Sequence, residues 1–189
     1  MRYIIDMIPY MLISAAIYIF IRIIIAVVMK ERKPSWVREI IVFSFVVYCA
    51  GVASQTIIPK FEFGNVATSI IGTPDKRINI IPFKVFLEVY KSINEHNYFD
   101  YFIYNFLGNI ILFIPFGIYL PLIFKKMNGL SKTLLCGFAI SITIEIIQFP
   151  LHRGSDIDDL WLNTLGVILG FLLYRCCHKF IKAKTHNRL

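Results

Sequence analysis

Five long apolar blocks constrain what this chain can fold into more than any other feature. They occupy residues 3–29, 37–58, 101–124, 134–149 and 160–177. A helix needs about 20 apolar residues to cross the hydrocarbon core of a bilayer, and one isolated segment can satisfy its own backbone hydrogen bonds there only as a helix. The sequence therefore predicts an all-α integral membrane protein, a helical bundle of about five transmembrane helices in a single membrane domain, 1–189.

The composition and the placement of charge agree with a membrane protein and argue against a nucleic-acid-binding one. Of 189 residues, 57% are apolar and 17% are charged, whereas soluble domains carry about 25% charged residues. The formal net charge is +8, but the basic residues lie at the ends of the apolar blocks, where they set membrane topology. We therefore expect the lipid bilayer as a partner, and no nucleic acid.

Lys and Arg residues are distributed unequally between the two sides of the predicted membrane. The 30–38 loop, the 125–132 loop and the carboxyl-terminal tail carry twelve of them, against seven in the opposite and much longer segments. Cytoplasmic loops are enriched in Lys and Arg. The count therefore predicts an amino terminus outside and a carboxyl terminus in the cytoplasm.

The 59–100 connection contains a short amphipathic pattern after Pro82. Apolar residues at helical spacing form one stripe, Phe83, Phe86, Leu87 and Tyr90, and charged residues face the other way, Lys84, Glu88 and Lys91. The pattern is too short and too charged to span a bilayer. It predicts a helix that either lies in the headgroup region or packs on the bundle as a lid.

Polar residues recur at the outer ends of three predicted spans. They are Asn105 and Asn109 in the third, Glu145 and Gln148 in the fourth, and Arg153, Asp156, Asp159 and Asn163 just before and within the fifth. The predicted topology brings these three ends to the same depth on the same side. The sequence therefore predicts one polar, outward-facing pocket or cap in which these eight residues bind a ligand.

Glu145 is the member of this set that most needs an explanation. An ionised acid at the centre of a span costs roughly 2.5–3.5 kcal/mol, and less near its end, so Glu145 requires a partner. Arg153 is the nearest candidate. A structural pair between the two and a role in ligand binding or proton handling both stay open. The three asparagines could equally hydrogen-bond between helices.

The acidic run Asp156, Asp158 and Asp159 also has two interpretations. Asp156 or Asp158 could cap the fifth span as part of a solvated turn. The three carboxylates could instead hold a divalent cation through oxygen ligands, although their spacing is not that of an EF-hand loop. No other cofactor is predicted.

An ordered set of short motifs resembles the signature of the VanZ-like family. The motifs are Asn105-x-x-Gly108-Asn109, Phe113-x-Pro115-Phe116-Gly117, Ser141-x3-Glu145-x2-Gln148, then Arg153, and Asp156-x-Asp158-Asp159-x3-Asn163-x2-Gly166-x3-Gly170, with Asn79-Ile-Ile-Pro82-Phe83 upstream. The resemblance covers about residues 45–175. It implies a bacterial plasma-membrane protein and a link to resistance against teicoplanin, a lipoglycopeptide, but it implies no particular reaction.

Two functional hypotheses follow. The first is a non-catalytic membrane protein that binds or shields an amphiphile at the cell surface, such as a lipid-linked cell-wall precursor or a lipoglycopeptide. The second is a membrane enzyme acting on a lipid-linked phosphate or cell-wall precursor, with Glu145 or Asp159 as general base and Arg153 holding the anion. The sequence contains no nucleophile motif of the known hydrolase or phosphate-loop types, which favours the first.

Overall fold

The computed structural model describes residues 2–29, 35–57, 79, 81–96, 102–149 and 156–186. These residues form six α-helices: α1 (Arg2–Met29), α2 (Trp36–Thr56), α3 (Lys84–His96), α4 (Gly108–Ile123), α5 (Leu130–Gln148) and α6 (Ile157–His186). A π-helical turn, Phe102–Leu107, leads into α4. The described part of the chain contains no β-strand beyond one isolated bridge. The predicted all-α class is confirmed.

Five of the six helices are long and apolar enough to cross a membrane, namely α1, α2, α4 with part of its π-helical turn, α5 and α6. The chain is thus a multi-pass membrane protein, as predicted. Two helices begin earlier than the predicted spans, α5 at Leu130 and α6 at Ile157. The first turn of α6 includes Asp158 and Asp159, whose negative charge is favourable at a helix amino terminus.

The chain divides into two compact units, Met1–Ile71 and Gly72–Leu189. The first unit holds α1 and α2, which pair in antiparallel fashion. Arg22 Nε lies 2.9 Å from Glu39 Oε2, and Tyr18 donates a hydrogen bond of 3.0 Å to the same oxygen. Because charge inside a span is costly without a partner, this pair joins the two helices where their charged residues meet.

In the second unit, α4 and α6 touch backbone to backbone. A Cβ atom at Gly166 would overlap the carbonyl oxygen of Ile110, and one at Gly170 would overlap that of Ile114. On α4, Gly117 meets the backbone of α6 in the same way. Small residues let membrane helices approach this closely, which maximises van der Waals contact where lipid provides no hydrophobic drive.

The amphipathic helix α3 packs on α4 and α6 through a small apolar core. Val85, Ile110 and Leu162 are buried there, with partly buried neighbours around them, Val89, Phe106, Trp161 and Leu165. In this core, α3 packs through Val85 and Val89. The predicted stripe of Phe83, Phe86, Leu87 and Tyr90 remains largely exposed.

We expect Gly170→Ala to destabilise the second unit, because the new methyl group would collide with the backbone of α4. Overpacking of this kind typically costs about 1–3 kcal/mol. The measurement is the midpoint of thermal unfolding in detergent. Gly129→Ala is the matched control, since a Cβ there meets open space. Equal midpoints for the two variants would contradict the close contact.

Candidate functional site

The amino terminus of α6 is capped by Asp156. Its carboxylate oxygen Oδ1 accepts hydrogen bonds from the backbone N–H of Asp158 at 2.8 Å and from the side-chain amide of Asn79 at 2.7 Å. The backbone N–H of Ile157 donates to the carbonyl oxygen of Asn79 at 3.0 Å. Asp156 thus satisfies a free N–H of the first turn and fastens the upstream segment to α6.

Burial raises the pKa of the Asp156 carboxyl above its ordinary value. Desolvation disfavours the charged form, and the hydrogen bonds from Asp158 and Asn79 offset only part of that effect. The neighbouring carboxylates of Asp158 and Glu88 raise the pKa further. The cap is therefore held in an environment that favours its protonated form more than water does.

Asp158 joins α3 to α6. Its side chain is only 1% exposed, and Oδ1 accepts the backbone N–H of Phe83 at 2.5 Å while Oδ2 accepts that of Val85 at 2.7 Å. The indole N–H of Trp161 donates to Oδ1 at 2.8 Å. The first N–H groups of a helix lack partners within it, so Asp158 caps α3 from the first turn of α6.

Phe83 precedes α3 with a φ of 64°. This left-handed conformation is rare for a bulky residue and costs on the order of 1–3 kcal/mol. The hydrogen bond to Asp158 and ring contacts with Phe86 at 6.3 Å and Trp161 at 5.5 Å between centroids oppose that cost. The turn before α3 is therefore set by contacts with α6.

Beside these two caps lies a polar cluster formed by Asn109 of α4, Glu145 of α5 and Asp159 of α6. Asn109 donates its amide N–H to the carboxylate of Asp159. Glu145, 8% exposed, accepts the backbone N–H of Asp156 at 3.1 Å. Asp159 lies close enough to Glu145 to interact with it electrostatically. Three apolar helices thus bring two acids and a carboxamide together at one end.

One helical turn deeper, Asn163 of α6 donates a hydrogen bond of 2.9 Å to the hydroxyl of Ser141 on α5. Both side chains are buried. Each follows the spacing of the layer above, since Asn163 comes four residues after Asp159 and Ser141 four before Glu145. The amide oxygen of Asn163 has no hydrogen-bond partner among the described residues.

The remaining predicted site residues are Asn105, Gln148 and Arg153. Asn105 is exposed, and its backbone oxygen accepts the Asn109 amide at 3.2 Å. Gln148 is half-buried in the last turn of α5. Arg153, the predicted partner of Glu145, lies outside the described residues.

The predicted grouping of Asp156, Asp158 and Asp159 resolves into three different sets of contacts. Asp156 caps α6, Asp158 caps α3, and Asp159 faces Asn109. Among the residues that the structure describes, no three or more His, Cys, Asp or Glu side chains are arranged to hold a metal ion. The run serves hydrogen bonding in the arrangement described.

Two residues of the site had no predicted role, Asn79 and Trp161. The side chain of Asn79 donates to Asp156, and its backbone carbonyl oxygen accepts the N–H of Ile157. Trp161 packs against Phe86 and Phe106, with ring centroids 5.7 and 6.2 Å away. The motif that begins at Asn79 was the available signal, but its position in sequence does not reveal which helix it contacts.

The helices and this site define a multi-pass membrane protein in which a buried cluster of acids and amides joins the ends of three spans. A sequence model of the VanZ/LLP1 family matches residues 45–178, and these residues include every described residue of the cluster. The chain belongs to the VanZ/LLP1 family.

The chain is also similar to Protein VanZ of Enterococcus faecium. The two are 39% identical over 84 residues, which is 44% of this chain and 52% of the relative. The chain therefore matches about half the length of that relative. No solved structure matches.

We expect Asp158→Asn to loosen α3, because an amide cannot accept all three N–H groups that the carboxylate accepts. A hydrogen bond to a charged group contributes about 1.5–3 kcal/mol. The measurement is the fluorescence of Trp161 during thermal unfolding, in a background where Trp36 is replaced by Phe. Asp156→Asn is the matched control, since asparagine also caps helices well. An Asp158→Asn variant as stable as this control would contradict the role of Asp158 in holding α3 on α6.

We also expect Asp156→Asn to change how stability depends on pH. The raised pKa means that protonated Asp156 favours the folded state, a contribution complete below the ordinary value of 3.8 and lost as pH rises through the folded value. The measurement is the difference in unfolding midpoint between wild type and variant from pH 3 to pH 8. Wild type should lose stability relative to Asp156→Asn as pH rises. A constant difference would contradict the shift.

Proposed function

We propose that the protein contributes to tolerance of lipoglycopeptide antibiotics such as teicoplanin, by binding or shielding an amphiphile at the outer surface of the bacterial plasma membrane. The amphiphile would be a lipid-linked cell-wall precursor or the drug itself. Membership of the VanZ/LLP1 family and the similarity to Protein VanZ support the link to resistance. The observations below support an amphiphile as the ligand and binding or shielding as the mechanism.

The main observation is the position of the polar cluster beside an aromatic surface. Glu145, Asp159 and Asn109 converge at the end of α4–α6 where Trp161 stacks on Phe86. An amphiphile needs polar groups for its head and apolar surface for its tail. The half-exposed ring of Phe86 supplies apolar surface next to Val85, whose N–H binds Asp158. Asp159, the next residue of α6, supplies a polar group.

The proposed membrane orientation puts this end of the helices outside. The excess of Lys and Arg in the 30–38 loop, the 125–132 loop and the tail supports a cytoplasmic carboxyl terminus. The cluster lies at the opposite end of α6 from the tail. With the amino terminus outside, the cluster would face the side on which cell-wall precursors and glycopeptides meet the membrane.

A second candidate is a membrane enzyme acting on a lipid-linked phosphate or cell-wall precursor, with Glu145 or Asp159 as general base. The proximity of the two carboxylates favours it, because paired carboxyl groups commonly serve as general acid and general base in enzyme sites. Arg153 would hold the anion in this case. The two candidates differ in whether a charged Glu145 is required.

The test compares wild type, Glu145→Gln and Glu145→Ala at matched membrane levels in a susceptible host. Glutamine retains an oxygen that can accept the N–H of Asp156, whereas alanine removes this contact, so the Gln variant probes charge with the fold preserved. Tolerance to teicoplanin is measured beside tolerance to vancomycin, which lacks the acyl tail. Glu88→Gln is the matched control, because it makes the same change of charge on α3, where Glu88 pairs with Lys84.

We expect wild type to protect against teicoplanin more than against vancomycin, and Glu145→Gln to retain most of that protection. Loss of protection in Glu145→Gln at equal expression, with Glu88→Gln unaffected, would reject shielding without a charged Glu145 and favour the enzyme. No protection by wild type would reject both the resistance role and the acyl-tail ligand.

A further inference from the structure

Helix α3 has three distinct sides. A charged residue, a valine and an aromatic residue follow one another at Lys84, Val85 and Phe86. The same three kinds recur four positions later, as Glu88, Val89 and Tyr90. With 3.6 residues per turn, residues four apart lie on nearly the same line of a helix. The helix therefore carries a charged side, a valine side and an aromatic side.

The valine side faces the protein. Val85 is 4% exposed and is packed with Ile110 of α4 and Leu162 of α6, and Val89 lies against the same core. The charged side carries an internal ion pair, with Lys84 Nζ 2.7 Å from Glu88 Oε1. Both side chains are partly exposed, which suits this side to water.

The aromatic side is apolar and exposed. Leu87 and Tyr90 are 63% and 65% exposed, and Phe86 is 50% exposed although one part of its ring packs on Trp161. Just before the helix, Ile81 and Phe83 are exposed to a similar degree. Five neighbouring large apolar residues that are each at least half-exposed among the described residues are unusual on a surface that faces water.

The depth of α3 relative to the membrane follows from its attachment. Asp158, which accepts the N–H groups of Phe83 and Val85, lies in the first turn of α6. By length and composition, the candidate membrane span of α6 is Ile157–His178. The start of α3 is therefore attached within a residue or two of the beginning of that candidate span.

We propose that α3 lies along the membrane surface at this level, with Phe86, Leu87 and Tyr90 inserted among the lipid headgroups and upper acyl chains. The three sides then meet three environments: the valines the protein, the aromatic residues the lipid, and the charged residues the water. Tyr is enriched at such interfaces because it is apolar with a polar tip. This proposal does not depend on the proposed function.

The experiment measures the depth of spin labels on the full-length chain in liposomes of phosphatidylethanolamine and phosphatidylglycerol. The four native cysteines, Cys49, Cys136, Cys176 and Cys177, are replaced by Ala or Ser, and one nitroxide is attached through Leu87→Cys or Tyr90→Cys. Glu88→Cys, four residues after Lys84 on the charged side, is the matched control. Collision rates with oxygen, which concentrates in acyl chains, are compared with those of a water-soluble nickel chelate.

We expect the ratio of oxygen to nickel collisions at the Leu87 and Tyr90 labels to exceed that at the Glu88 label several-fold. Equal ratios on the two sides of the helix would place the aromatic side in water and overturn the proposal. Low collision rates with both reagents at Leu87 and Tyr90 would show that protein covers this side, whether a second copy or another part of the chain, and would also overturn it. The Leu87 and Tyr90 labels are measured in separate variants. If one variant folds poorly, the other still tests the depth of the aromatic side.

Discussion

The carboxylate of Asp158 accepts three N–H groups, from Phe83, Val85 and Trp161, and the arrangement of the second unit depends on it. Without this acceptor, the first turn of α3 would leave N–H groups unsatisfied in an apolar setting, which costs about 1–3 kcal/mol for each. A single buried acid in a chain of this hydropathy thus organises a helix that cannot span the membrane by anchoring it to one that can. The hydrogen bond from Trp161 to Asp158 also holds the indole ring against Phe83 and Phe86.

The neighbouring acids take different roles because helix geometry turns each one in a different direction. Asp156 precedes α6 and faces the upstream segment, Asp158 faces α3, and Asp159 faces Asn109 and the acid of α5. Two of these roles are accounted for by capping. Glu145 accepts the backbone N–H of Asp156, but its proximity to Asp159 satisfies no backbone group, and this proximity sets the site apart from an ordinary helix junction.

Much of this fold could be predicted from the pattern of apolar residues, and much of the site could not. Long apolar blocks determine the spans. Polar residues at helical spacing predict a shared polar cap, and the structure places Asn109 against Asp159 and Glu145 against the backbone of Asp156. The joint at Asp158 was not predictable, because its backbone partners lie 73 and 75 residues earlier in the chain and periodicity carries no information on such pairs. The valine side of α3 was likewise overlooked, since two valines give a weaker signal than an aromatic stripe.

The glycine contact between α4 and α6 has a mechanical consequence. Two helices whose backbones touch at Gly117, Gly166 and Gly170 cannot slide or separate without losing contact along the whole line, so Asn109 and Asp159 stand on one rigid pair. Helix α5 meets that pair through Gly137 against the side chain of Val167, the Ser141–Asn163 hydrogen bond and the contact of Glu145 with Asp156. A change in the separation of Glu145 and Asp159 would therefore require α5 to shift against the α4–α6 pair.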